Sequence, residues 1–182
     1  MNSPQDTDIL EACRRGDRAA FNQLVRLHQD RIFRVVRRMI PDADDAWDVA
    51  QEVFIRAYEK VAEFRGDAQV STWLYRIAVN LSLNHIRRSR LRRFLRIDDG
   101  EHTLQDDGPS PSANIERMEL RQLVERAIET LPKKQKAVFV LRYHEELPYE
   151  KIAAVLGTSV GGLKANYHHA VRKIEAYVKE HL

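Results

Sequence analysis

The sequence predicts an all-α protein: two helical domains joined by a flexible acidic linker, the C-terminal one a helix-turn-helix. Three observations lead there. Apolar residues recur at helical spacing through most of the 182 residues, and no alternating strand pattern appears. Charge divides the chain in three. Residues 1–96 carry 18 Lys and Arg against 13 Asp and Glu, residues 97–120 carry 1 against 7, and residues 121–182 carry 11 against 7. Near the end, a short apolar helix, a Gly-containing turn and a longer helix follow one another, which is the helix-turn-helix order. The expected division is therefore 1–96, a linker over 97–113, and 114–182.

Taken in order, Ile9 to Arg15 reads as a short helix ended by Gly16. Asp17 can cap the next, whose Phe21, Leu24, Val25, Ile32, Val35, Val36 and Met39 keep one apolar face until Pro41 stops it. Asp42 and Asp44 offer a cap and complement the dipole of a third helix with core residues Ala46, Val49, Ala50, Val53, Ala57, Val61 and Phe64. After the loop at Gly66 and Asp67 comes a helix that splits into two faces. Leu74, Ile77, Ala78, Leu81 and His85 form one, and Trp73, Arg76, Asn80, Asn84 and Arg87 the other. The stretch 97–113, with five acids and then Gly108-Pro109-Ser110-Pro111-Ser112, has little to bury and reads as a linker. Leu120, Leu123, Val124, Ala127, Ile128 and Leu131 begin the second domain. Pro132 opens a helix through Leu141, Pro148 opens Tyr149 to Leu156, and Ser159 after Gly157 caps the last helix.

An aromatic ring, two amides and two guanidiniums on one helical face suit stacking on bases and gripping phosphates, although Trp73 packed inside is an alternative. The face runs into Arg87-Arg88-Ser89-Arg90-Leu91-Arg92-Arg93-Phe94-Leu95-Arg96, six arginines in ten residues without an acid, which reads as a phosphate clamp. In the last helix, Val160, Leu163, Tyr167, Ala170 and Ile174 form the buried stripe. Gly161, Gly162, Ala165, His169 and Arg172 lie opposite, flanked by Lys164 and Asn166. That arrangement fits a helix entering a major groove, with Asn166 for an adenine edge and Lys164 and Arg172 for phosphates. Asp48, Gln51, Glu52 and Ile55 share an outer face of the third helix, a solvated acidic face or a protein-docking one.

Other classes find no support. There is no Gly-rich phosphate loop, nucleophile elbow or catalytic carboxylate pair, so no enzyme and no cofactor is expected. His168 and His169 diverge by 100° with no ligand at i+4, so no metal is expected. No apolar run is long enough to span a membrane and the first ten residues lack a basic n-region. The lone Cys13 cannot form an internal disulfide, and the expected compartment is the reducing cytoplasm.

Four segments together resemble the extracytoplasmic-function (ECF) sigma factors, two-domain subunits that direct bacterial RNA polymerase to promoters. Asp45-Ala46-Trp47-Asp48-Val49-Ala50-Gln51-Glu52-Val53-Phe54 resembles region 2.2. Phe64-Arg65-Gly66 with Ser71-Thr72-Trp73-Leu74-Tyr75-Arg76-Ile77-Ala78-Val79-Asn80 resembles regions 2.3 and 2.4. Leu131-Pro132 through Tyr143 resembles region 4.1, and Glu150 through Gly161 region 4.2. The resemblance implies that Asp45, Asp48, Gln51, Glu52 and Ile55 dock on the β′ clamp helices of core RNA polymerase. It implies that the loop Gly66 to Ser71 captures a flipped base of the −10 element. Arg65, Ser71, Thr72, Trp73, Arg76, Asn80, Asn84, Arg87 and Arg88 would line that DNA. Ser159, Gly161, Gly162, Lys164, Ala165, Asn166, His169 and Arg172 would read the −35 element beside the β flap. An anti-sigma factor is a further implied partner. Two departures stand out. Primary sigma factors carry a Trp pair where this chain has Trp73-Leu74, which implies weaker melting. The recognition helix reads Gly162-Leu163-Lys164-Ala165-Asn166, without the Arg of the common ECF pattern. The competing readings are a dimeric helix-turn-helix regulator on duplex operator DNA, which leaves the first domain unexplained, and a nucleic-acid-processing enzyme.

Overall fold

The computed structural model describes residues 4–64, 66, 68–95 and 115–182, and the regular structure of these residues is entirely helical. In order, the α-helices are α1 (Pro4–Arg14), α2 (Arg18–Met39), α3 (Ala43–Lys60), α4 (Val70–Leu95), α5 (Ile115–Glu129), α6 (Lys133–Phe139), α7 (Tyr149–Leu156) and α8 (Val160–His181). A 3-10 turn, Val61–Glu63, follows α3, and a π turn, Val140–His144, follows α6. The linker expected over 97–113 lies outside the described residues.

Local chemistry sets the helix boundaries. Asp17 accepts hydrogen bonds from the N–H groups of Ala19 and Ala20, and Asp42 accepts one from Asp45 at 2.8 Å. Each such cap is worth about 1 kcal/mol. Gly157, at φ +62°, closes α7 in the left-handed conformation, and Ser159 Oγ accepts from Gly162 N to open α8. One boundary differs from expectation. α3 stops at Lys60, and the chain tightens into the 3-10 turn, where Phe64 N–H donates to Val61 O at 3.3 Å. Val61 and Phe64 remain buried, so the core pattern holds although the helix does not.

α2, α3 and α4 pack around one another, with α1 laid against α2. Their core joins Ile32, Val35 and Val36 to Ala46, Val53 and Ala57 and to Leu74 and Ala78. α5, α6 and α8 form a second cluster around Ala127, Phe139 and Ala170. The two halves are not separate. α7 packs against α4 as well as α8, and the π turn touches α2. Leu141, Ile152, Val155 and Leu163 of the second half consequently belong to the same apolar cluster as α4. Burying a Leu or Ile side chain is worth roughly 2 kcal/mol, and these four pack where the second half's own helices meet the cluster shared with α4.

α4 accounts for this closure. The sequence marks one apolar stripe on it, and Leu74 and Ala78 are buried as expected. A second stripe, Tyr75, Val79 and Ser82 at i, i+4 and i+7, is buried as well. It escapes a hydropathy reading because two of its three members carry hydroxyls. Both hydroxyls are satisfied: Tyr75 Oη donates to Glu145 Oε2 at 2.8 Å, and Ser82 Oγ donates to Ala78 O at 2.8 Å.

His144, at the end of the π turn, is pushed down to about 4 by burial and, secondarily, by Arg38. The unfolded chain binds that proton near 6.5, so the fold loses this contribution as pH falls from 6.5 toward 4. His28 on α2 is also lowered by burial and acts in the same direction. Urea midpoints should therefore fall between pH 7 and pH 4.5, and His144→Gln should flatten part of that slope. An unchanged slope in the variant would contradict the assignment.

Candidate nucleic-acid interface

Of its circumference, α4 leaves one strip open. Arg76, Asn80, Asn84 and Arg87 are all exposed, and Arg88, Arg90 and Arg92 continue the positive surface. The strip is exposed because the other faces of α4 are taken, by α2 and α3 on one side and α7 on another. Asn84 Oδ1 accepts from Arg87 Nη2 at 3.4 Å, a contact weak enough to yield to a ligand. Lys133 at the start of α6 joins this surface, a residue the sequence reading does not include. Its ammonium is held below the usual lysine value by desolvation and by Arg90 and Arg87, so cations of both halves converge there.

Trp73 belongs to both of its open readings. It is half-buried against the core, and its ring centroid lies 4.8 Å from that of Phe64 at a tilt of 31°. The two rings close the base of the loop between them, where Gly66 sits at φ +83°, a conformation that favours glycine. Arg65, expected on the DNA surface, lies outside the described residues. Ser71 is half-buried. Thr72 needs correcting: at 5% exposure its side chain is inside the fold, because its place on α4 falls between the open strip and the second buried stripe.

On α3, Asp48, Gln51 and Ile55 are exposed and share one face, with Glu52 beside them. Asp45 lies at the edge of the same face, three residues before Asp48 and seven before Glu52: its side chain is 46% exposed, and its carboxylate lies 3.0 Å from His85 Nε2 of α4. Glu52 is engaged by Arg56, 2.8 Å away, whose guanidinium also reaches Glu59 at 3.1 Å. Two aromatic residues missed in the sequence complete the face: Trp47, 54% exposed, and Tyr58. Each rests edge-on against an α2 ring, Trp47 on Phe33 at 5.1 Å and Tyr58 on Phe21 at 5.0 Å. Their spacing from Ile55, eight and three residues, was the signal that could have found them. A groove of about 560 Å³ runs between this face and the α4 strip, lined by Glu52, Arg56, Asn84, Arg88 and Arg92 over Val49 and Leu81.

On α8, Gly161, Lys164, Ala165, His169 and Arg172 are exposed, and Gly162 and Asn166 half-exposed. Ser159 is spent on the cap. The two glycines differ. A methyl group on Gly162 would meet Ser159 Oγ at 3.3 Å, so the cap itself disfavours a side chain there, whereas nothing lies within 4 Å of one on Gly161. Asn166 Nδ2 donates to Gly162 O at 2.9 Å, so an adenine edge would have to displace that bond. Tyr149 underpins the helix, with Arg142 over its ring at 5.0 Å and Lys164 at 5.9 Å. Among the described residues no cluster of three metal-ligating side chains occurs, and no helix is long and apolar enough to cross a membrane.

Comparison with known proteins bears directly on this arrangement. Residues 24–92 match the Sigma-70 region 2 family and residues 121–174 the Sigma-70 region 4 family. The chain is 37% identical to the RNA polymerase sigma-H factor of Pseudomonas aeruginosa, over 96% of this chain and 94% of that one. It is 36% identical to the ECF RNA polymerase sigma-E factor of Escherichia coli, over 97% of each. The solved complex of the sigma factor RpoE with the anti-sigma factor NepR from Bartonella quintana shares the fold. Its TM-score is 0.70 at 21% identity, over 87% of this chain and 96% of that one.

Proposed function

Because the chain belongs to the ECF RNA polymerase sigma factors, which direct core polymerase to promoters, we propose that its three exposed faces divide that work. Residues 1–96 form the polymerase-docking and −10 module, 97–113 the connection, and 114–182 the −35 module. The face of α3 bearing Asp48, Gln51, Glu52 and Ile55, widened by Trp47 and Tyr58, docks on the β′ clamp helices. Charge at its rim steers and orients the encounter, and the aromatic residues supply the area that holds it.

The α4 strip takes the non-template strand of the −10 element. Arg76, Arg87 and Arg88 hold phosphates, while Asn80 and Asn84 offer amides to base edges. A base leaving the stack costs a few kcal/mol and needs a pocket and a stacking partner. The Phe64–Trp73 platform beneath the Gly66 loop supplies the stacking. The exposed face of α8 enters the major groove at −35, and Gly161 lets the backbone come close. An anti-sigma factor is the regulatory partner that fits a subunit of this kind. The work takes place where core polymerase is, in the cytoplasm.

The open strip on α4 carries this reading, because a helix gripped on its other faces presents amides and guanidiniums in a fixed row. Permanganate mapping of unpaired thymines tests it, using core polymerase and a promoter from upstream of the protein's own coding sequence. Reactivity around −10 should require both proteins and fall at least tenfold with Asn80→Ala or Arg76→Ala. Opening that is indifferent to both substitutions would remove α4 from the melting step.

A further inference from the structure

The groove between α3 and α4 is left over once the docking face and the DNA strip are assigned. It holds about 560 Å³, within the roughly 300–1,000 Å³ that small-molecule sites occupy. Its two walls differ in chemistry. The α3 wall is electrically closed, because Arg56 takes Glu52 at 2.8 Å and Glu59 at 3.1 Å. The α4 wall is open. Among the described residues Arg88 has no carboxylate partner, and Arg92 makes a 3.4 Å contact with Ser89 Oγ that is too long to hold it. Arg88 and Arg92 stand at i and i+4, so their guanidiniums lie over one turn of α4. Each planar fork can grip a phosphate through two N–H bonds.

The floor suits more than a bare anion. Val49 and Leu81 form it, and Leu91, 58% exposed, extends it to the rim. The His85 ring stands beside them. Its Nε2 lies 3.0 Å from Asp45 and 3.1 Å from Ser89 Oγ, so the ring is fixed, and a fixed imidazole beside apolar side chains is a surface on which a base can stack. At the open end Asn84 presents an amide, weakly held by Arg87 at 3.4 Å, with donors and an acceptor for a base edge. We propose that this groove binds one nucleotide unit, with its base over Val49, Leu81 and Leu91 against His85 and its phosphate on Arg88 and Arg92. An acidic peptide would match the guanidiniums but brings nothing flat to cover the floor. Two sources of nucleotide share this chemistry. One is the promoter strand, because Asn84 belongs to the groove and to the open strip alike; that source rests on the −10 reading proposed above. The other is a free nucleoside polyphosphate, which does not depend on it.

NMR on the full chain, labelled at backbone amides and at Val and Leu methyls, tests the site with ATP as the probe. ATP should shift the methyls of Val49, Leu81 and Leu91. Arg92→Ala should weaken its binding about tenfold or more, the loss expected for hydrogen bonds between charged groups. Leu91→Glu, which sets a carboxylate at the rim against the phosphate, should do the same. Both positions are exposed, so both variants should melt like the native chain. Tripolyphosphate at matched ionic strength should bind at least tenfold more weakly than ATP. Equal binding would reduce the groove to an anion patch and overturn the proposal. Poly-glutamate moving the methyls as far as ATP does would overturn it in favour of an acidic protein segment. A single-stranded oligonucleotide of the −10 non-template sequence separates the sources. Displacement of ATP with shifts at the same methyls identifies the promoter strand. Shifts confined to the strip amides of Arg76 and Asn80, with ATP still bound, identify a free nucleotide. Unmoved strip amides would count against the −10 reading and leave the ATP site standing. Groove methyls unmoved by both ATP and the oligonucleotide would overturn the proposal outright.

Discussion

Asp48→Arg is expected to abolish assembly with core RNA polymerase while leaving the thermal unfolding of the isolated protein unchanged. Asp48 is exposed at the centre of the α3 face, with Ile55 and Trp47 around it. Exposed single substitutions of this kind alter stability by less than about 0.5 kcal/mol. At an interface the same reversal sets like charges against each other, at a cost of several kcal/mol, so binding should weaken by about a hundredfold or more. Equilibrium binding to labelled core polymerase measures this. Glu180→Arg, an equivalent reversal at the far end of α8, is the control and should bind like the native chain. Equal binding by the two variants would take the α3 face out of the docking surface.

Leu74→Ala carries the largest expected loss of stability. Leu74 is fully buried where α4 meets the core of α2 and α3. Truncation removes its transfer free energy and leaves a cavity that three packed helices cannot close, about 3 kcal/mol in all. For a chain of this size that is a fall of about 6–12 °C in melting temperature. The neighbouring Arg76→Ala, on the open strip, should change it by less than 2 °C. The contrast between two residues half a turn apart is the check. Similar melting temperatures would mean that α4 is not seated as described.

The helices were largely legible in the sequence because their signals are local. Asp17, Asp42, Gly157 and Ser159 act on backbone groups two to four residues away, and each acts as a cap in the structure. The exposed rows on α4 and α8 were legible for the same reason, since helical spacing alone sets which side chains share a face. What could not be read depends on contacts distant in sequence. The acidic face of α3 is legible, but not that His85, forty residues on, stands 3.0 Å from the Asp45 carboxylate at its edge. Thr72 reads as part of the polar strip, yet it is buried at 5% exposure, at the border with the second buried stripe of α4. Glu145 and Tyr75 are seventy residues apart, and neither residue type announces a partner. Trp47 is the opposite case: its exposure runs against hydropathy, because the Phe33 beneath it supports one edge without covering the ring.

α4 has little idle surface. One stripe packs into the first half of the chain, another is buried and reaches Glu145 of the second half through Tyr75, and the open strip faces solvent with its amides and arginines. For genetics this means pleiotropy arranged by angle rather than by position. In a saturation scan of residues 70–88, adjacent codons should yield unrelated phenotypes, whereas residues three or four apart should share one: unstable at 74 and 78, blind to promoters at 76 and 80. Promoter preference can then drift only along the narrow third of the helix that answers to DNA alone.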